Sequence, residues 1–212
     1  RRSNTPFSHT WRTHFSHMSE CLFFFEAFRP RHKLRWSEEA RRMLETPNAG
    51  GTSQLSEALS LEFLARSFGA RLVKTETELS YSSGSKITDY AVSLFGTHLV
   101  GVSVTRAVKW QGHGGLPQGH CALPKQLVTK ELGFGILNEE EASALLYKKL
   151  YAINVSSRNV RNLRWNKQLL HVWVRSYKES QVLQEAYERM PPDLKANTVV
   201  LLTLCKGIEW IW

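Results

Sequence analysis

Three strand-like runs follow one another between Arg71 and Thr105 with only tight turns between them, and this constrains the fold more than any other feature of the chain. Arg71 to Tyr81 alternates apolar and polar residues, Ser82 to Ser85 forms a Gly/Ser turn, and Ile87 to Phe95 reads as the returning strand. Gly96-Thr97 turns again into Leu99 to Thr105 (LVGVSVT), which has the β-branched character of a central strand. Helical patterns lie on either side of this meander. Ahead of it, Leu55, Leu59, Phe63 and Leu64 make one apolar stripe, with Ser56 as the expected N-cap and Gly69 as the closing residue. Beyond it, Asn138 and Glu141 form a capping box for a helix running to about Ile153. Gln168 to Val174 then reads as a strand, Lys178 to Met190 as a helix, and Thr198 to Leu204 as a last strand. The order αβββαβαβ implies an α/β fold: a mixed sheet with helices on both faces.

The first 53 residues read as a basic N-terminal arm. Cys21 to Phe28 is an apolar cluster expected to dock on the domain, Trp36 to Leu44 a short helix, and Thr46 to Ser53 a linker, which places the folded domain at 54–212. Residues 110–135, rich in Gly and Pro, are expected to be a surface insertion. Arg1 to Met18 carries three arginines, three histidines and no acid, a composition that suits a mitochondrial presequence remnant or an arm lying on RNA. The mitochondrial matrix is therefore the expected compartment, with nucleus or cytoplasm as the alternatives. The three cysteines are far apart and give neither a disulfide framework nor a CxxC pair. No stretch is long and apolar enough for a membrane span, so no membrane partner is expected.

Charge narrows the choice of partner. The 212 residues carry a formal net charge of +9, which favours polyanions. No acid occurs from Ala142 to Lys178, where Lys148, Lys149, Arg158, Arg161, Arg164 and Lys167 fall among Tyr147, Tyr151, Trp165, Trp173 and Tyr177. A second acid-free run, Tyr90 to Lys130, carries Arg106 and Lys109. Cations neutralise phosphates and aromatic faces stack on bases, so nucleic acid is the expected partner, RNA in preference to DNA. The expected contacts are Arg106, Lys109, Lys148, Lys149, Arg158, Arg161, Arg164, Trp165 and Lys167. The competing reading is a solvated basic face over core aromatics.

Within the strand order, Glu57 falls at the start of the first helix and Asp89 in the second strand, while the third strand offers Gly101-Val102-Ser103-Val104-Thr105-Arg106. Over roughly residues 54–204 this arrangement resembles the PD-(D/E)XK (restriction-endonuclease-like) nuclease superfamily. The stretches Ser85 to Tyr90 and Gly101 to Ala107 also look like those of a divergent eukaryotic family within it. The resemblance implies a restriction-endonuclease-like mixed sheet and makes Glu57 the helix acid and Asp89 the metal-binding acid. Ser103 then stands where the second acid belongs, and Thr105 where the lysine belongs.

A serine hydroxyl is a poor ligand for a hard cation, and threonine brings no positive charge to a phosphate. The favoured expectation is therefore an RNA-binding protein on a nuclease-like fold with a vestigial site and no cofactor, forming part of a ribonucleoprotein such as the mitochondrial ribosome. Alternatively, a Mg²⁺-dependent nuclease uses Glu57, Asp89 and a displaced lysine, with Lys86 and Lys109 as candidates. A third reading is a scaffold subunit of an organellar complex. His113, His120 and Cys121 lack a fourth zinc ligand and a usual spacing, and His171 reads as a core or surface histidine.

Overall fold

The computed structural model describes residues 11–12, 22–28, 35–47, 53–108, 137–165, 167–206 and 211–212. Its central element is a seven-stranded mixed sheet. The strands are β1 (Trp11–Arg12), β2 (Leu22–Phe28), β3 (Arg71–Thr75), β4 (Tyr90–Leu94), β5 (His98–Arg106), β6 (Lys167–Val174) and β7 (Thr198–Lys206). They lie in the order β1-β2-β7-β6-β5-β4-β3. β3, β4 and β5 form the antiparallel meander, whereas β5, β6 and β7 are parallel to one another. The helices are α1 (Glu38–Glu45), α2 (Gln54–Phe68), α3 (Glu139–Asn159), α4 (Tyr177–Glu188) and the short α5 (Pro192–Lys195). None of the described helices is long and apolar enough to cross a membrane.

Period-two alternation along the inner strands sorts their side chains to two cores. Tyr90, Val92, Val102, Val104, Leu169, Trp173 and Leu201 pack with α2 on one face. Leu170, Val172, Val174, Val200, Leu202 and Leu204 pack with α3 and α4 on the other. α2 is buried continuously from Ser56 to Leu64 because α1 closes over its outer side, placing Ala40 and Met43 in the interior. One polar chain crosses the first core. Ser60 Oγ lies 2.6 Å from Tyr90 Oη and 2.6 Å from His171 Nδ1, and His171 Nε2 lies 2.9 Å from Thr203 Oγ1. His171 is a fully buried core histidine.

Several element ends differ from the sequence expectation. α2 starts after Ser53, and Ser56 sits inside it with its hydroxyl donating to the Ser53 carbonyl at 2.6 Å. Gly69 does close the helix, at φ 64°, with Ala70 N–H reaching back to Leu64 O at 3.2 Å. The first strand of the meander ends at Thr75, where Thr75 and Glu78 form a capping box that turns the chain into a 3-10 turn, Glu76–Glu78. The return strand begins only at Tyr90, so Asp89 precedes the strand instead of lying in it. The Asn138–Glu141 capping box is present, and α3 continues to Asn159, beyond the expected end.

The boundary drawn at Gln54 does not separate an arm from a domain. β2 lies parallel to β7, from Leu22 opposite Val200 to Phe28 opposite Lys206, and α1 packs on α2. The remainder of the expected basic arm, the 110–135 insertion with Lys109, His113, His120 and Cys121, and Cys21 lie outside the described residues.

Candidate active site

The chain places carboxylates at one end of the β4–β5 ladder from three separate elements. Glu57 comes from the first turn of α2, where an acid also complements the helix dipole. It is nevertheless only 5% exposed. Asp89 sits just before β4. Its N–H donates to Val102 O at 3.1 Å, and its Oδ2 accepts the N–H of Val104 at 2.6 Å. Glu76 opens the 3-10 turn after β3.

These groups share one electrostatic environment. Burial, then the neighbouring Asp89 charge, push the Glu57 carboxyl up to about 7, with Glu76 adding to the rise and Ser53 and Lys149 opposing it. Burial raises Asp89 to about 6 against the pull of Lys149 and the Val104 N–H, with Glu76 again raising it. Buried carboxylates that repel one another are a signature of functional sites, since a purely structural acid in the interior normally has a full cationic partner.

Lys149, from the middle of α3, is the cation that acts on both acids. Its Nζ lies 3.5 Å from Val104 O. Thus the cation near these acids comes from a helix and not from β5. Because Val102 and Val104 face α2, Ser103 and Thr105 face the α3 side of β5. Ser103 is 7% exposed and Thr105 is half-buried. Lys86 is exposed on the preceding turn and is not among the charges acting on Glu57 or Asp89.

Sequence reasoning placed Lys149 among the nucleic-acid contacts, not beside the acids, and passed over Glu76; both signals were weak. Lys149 reads as one more cation in a basic run, although its spacing from Leu146, Leu150 and Ile153 puts it on the flank of the buried stripe. Glu76 sits within Arg71 to Tyr81, which reads as one alternating strand.

The expected nucleic-acid contacts divide. Lys148, Arg158, Arg161, Arg164 and Lys167 are exposed. Arg161 Nε donates to Ser82 Oγ at 3.2 Å, and Lys167 Nζ donates to the Ala196 carbonyl. Trp165 is a correction: it is 9% exposed, its indole N–H points to Ser157 Oγ at 3.3 Å, and its ring lies against Gly101, so no base can stack on it. Arg106 donates to the Ile211 carbonyl at 2.7 Å on the α2 side, and Lys149 turns inward to the acids.

For a divalent cation the donor set is lean. Among the described residues, no three His, Cys, Asp or Glu side chains gather as a metal cluster. Mg²⁺, however, is commonly held by one or two carboxylates, with waters and substrate phosphates completing its shell. Glu57 and Asp89 meet that requirement, and their mutual repulsion is the uncompensated charge that a cation relieves.

No protein-family model matches the chain, and no solved structure matches it. It is similar to the AAC-rich mRNA clone AAC4 protein of Dictyostelium discoideum, with 37% identity over 176 residues, 83% of this chain. The match spans only 24% of the length of that relative.

Proposed function

We propose that the chain is a divalent-cation-dependent phosphodiesterase domain acting on nucleic acid, built on a restriction-endonuclease-like sheet in which Lys149 replaces the lysine missing from β5. The observation that carries this reading is the approach of Lys149 to Val104 and Asp89. The expectation of an inert site leaned on two absences, an acid at Ser103 and a cation at Thr105, and Lys149 bears on the second. Three carboxylates, Glu57, Glu76 and Asp89, and one ammonium leave two negative charges, which a divalent ion balances.

Glu57 and Asp89 are the residues that would hold the ion, and Glu76 would add negative potential beside them. Bound Mg²⁺ supplies Lewis-acid stabilisation of charge on the phosphoryl oxygens. Lys149 adds a fixed positive charge at the same place, and such preorganised charge is effective where water is excluded. The Asp89–Val104 hydrogen bond fixes the carboxylate against β5, so its free oxygen is presented in one orientation. Ser103 keeps a neutral oxygen where the resemblance would place an acid.

The exposed cations Lys148, Arg158, Arg161 and Arg164 also support a second reading, an RNA-binding subunit of a ribonucleoprotein, mitochondrial or otherwise, that does not cut. Incubating the full chain with labelled RNA, single-stranded DNA and duplex DNA in Mg²⁺ or Mn²⁺ separates the two. Cleavage that is lost in both Lys149→Ala and Asp89→Asn, with circular dichroism unchanged, is the expected result. Binding without cleavage selects the second reading. Cleavage that persists undiminished in both variants removes this site from the reaction.

A further inference from the structure

Helix α3 is held to the sheet by Ala142, Leu146, Leu150, Ile153 and Ser156, all buried. Its opposite face carries two aromatic rings that take no part in that packing. Tyr147 and Tyr151 are 54% and 53% exposed, with ring planes within 4° of parallel and centroids 6.5 Å apart. An i, i+4 pair lies along one side of a helix, and Arg158, seven residues past Tyr151, continues the same line. Lys148 flanks the pair, and both cations are exposed. Charge along the ridge is graded: Glu139, Glu140 and Glu141 occupy the first turn of α3, and no acid follows as far as Lys178.

A tyrosine pair at i, i+4 adds only a small increment to a helix in isolation. α3 has no need of that increment, because a full apolar stripe already anchors it. Two half-exposed rings on a basic, acid-free surface match instead what unpaired nucleic acid offers: flat bases and a chain of phosphates. A centroid spacing of 6.5 Å is close to two steps of a stacked strand, which repeats at about 3.4 Å.

We propose that the outward face of α3 is a stacking platform for single-stranded nucleic acid, with bases on Tyr147 and Tyr151 and phosphates on Lys148 and Arg158. The strand runs from the tyrosines toward the C-terminal end of the helix, away from the three glutamates. Duplex bases present no free faces to the rings, so the platform selects unpaired segments. The inference rests on nucleic acid being the partner; it does not depend on cleavage.

The test is fluorescence anisotropy in EDTA, which keeps binding separate from cleavage. The probes are labelled oligo(U) and oligo(dT) of about a dozen nucleotides, within the ~4–16 typical of such sites, and a duplex of equal length. Tyr147→Ala with Tyr151→Ala is expected to weaken both single strands about tenfold or more, while Tyr147→Phe with Tyr151→Phe retains affinity and duplex affinity is unchanged in every variant. A loss confined to oligo(U) or to oligo(dT) supports the platform and shows which of the two strands it accepts. Single-strand affinity indifferent to the alanine changes overturns the platform, as does an equal loss for the duplex. If the unmodified protein binds none of the probes, the nucleic-acid reading of the active site falls with it. If the unmodified protein cleaves but the alanine pair binds normally, only the platform falls.

Discussion

Asp89 and Lys149 engage opposite ends of a single residue: the carboxylate takes the N–H of Val104 at 2.6 Å, while the ammonium lies 3.5 Å from its carbonyl. Position along β5 therefore determines both the acid and the cation, although the two residues stand 60 positions apart in the sequence. A loop carries one and a long helix the other. Their meeting depends on the packing of α3 across the face that Ser103 and Thr105 share.

Removing the lysine charge while keeping its stem separates chemistry from cation binding. Lys149→Met is expected to lower the cleavage rate by roughly 10²–10³-fold, the scale found when one preorganised charge-stabilising donor is lost. Mn²⁺ binding, followed by calorimetry, is expected to be undiminished, because the substitution takes a positive charge away from Glu57 and Asp89. Asp89→Asn is expected to weaken Mn²⁺ binding. A Lys149→Met protein that cuts at the original rate would leave Lys149 without a role.

The buried groups also predict the pH dependence of stability in metal-free protein. Glu57 is raised to about 7 and Asp89 to about 6, both above their unfolded values near 4. The folded state holds more protons across that window, so the contribution of these acids declines as pH rises from about 4 to about 7 and then levels off. His171 acts in the opposite sense. Burial lowers it to about 3, so the unfolded chain takes up the extra proton and stability is lost as pH falls from about 6.5 toward 3. Glu57→Gln is expected to stabilise the apoprotein at about pH 8 by roughly 1–3 kcal/mol and to flatten the fall between about pH 4 and 7. Urea midpoints measured in EDTA across this range check it. A profile superimposable on that of the unmodified protein is the opposing result.

The layered fold was legible because the signals that specify it are local. Alternation in β5 and β6, the Asn138–Glu141 capping box and Gly69 at the end of α2 each act within a few residues. The N-terminal strand was not legible, because the run of phenylalanines in Leu22–Phe28 fits an apolar patch as well as a strand, and only the free edge of β7 decides between them. The candidate site was legible only in the parts that element order places. Glu57 and Asp89 follow from element order, whereas Glu76 and Lys149 depend on how far a 3-10 turn and a helix flank reach in three dimensions. Trp165 was misread for a related reason: a tryptophan among arginines looks like a stacking residue until the glycine that receives its ring is known.

That glycine supports a prediction about packing. A Cβ built on Gly101 would lie 2.8 Å from Trp165 Cε2, 2.9 Å from Trp165 Cζ2 and 3.1 Å from Gln168 Cδ. The indole lies against the strand and is itself buried. Gly101→Ala is expected to destabilise by about 1–3 kcal/mol through overpacking, and Trp165→Leu in the same chain to recover part of that loss. Denaturation midpoints of the two single variants and the double variant check it. Equal stability of Gly101→Ala and the unmodified protein would mean that the ring moves aside freely.

The last prediction concerns what keeps α3, and with it Lys149, in register with the Asp89 loop. Gln168 is fully buried on β6. Its Nε2 lies within hydrogen-bonding reach of Ile153 O at 3.2 Å, Ser156 Oγ at 3.0 Å and Ser157 Oγ at 2.6 Å, all on α3. Thr88, the residue before Asp89, directs its hydroxyl at Ser156 Oγ, 3.0 Å away, and at Gln168 Oε1, 3.2 Å away. One buried amide thus links the helix that carries the lysine to the loop that carries the acid. Gln168→Leu leaves buried donors and acceptors on both partners unsatisfied and is expected to cost about 1–3 kcal/mol, as is Thr88→Val. Because the two side chains belong to one network, the double variant is expected to lose less than the sum of the single losses, with a coupling of about 0.5–3 kcal/mol. Urea unfolding of the four proteins closes the cycle. Simple additivity would mean that loop and helix are held independently, leaving the alignment of Asp89 with Lys149 to the apolar core alone.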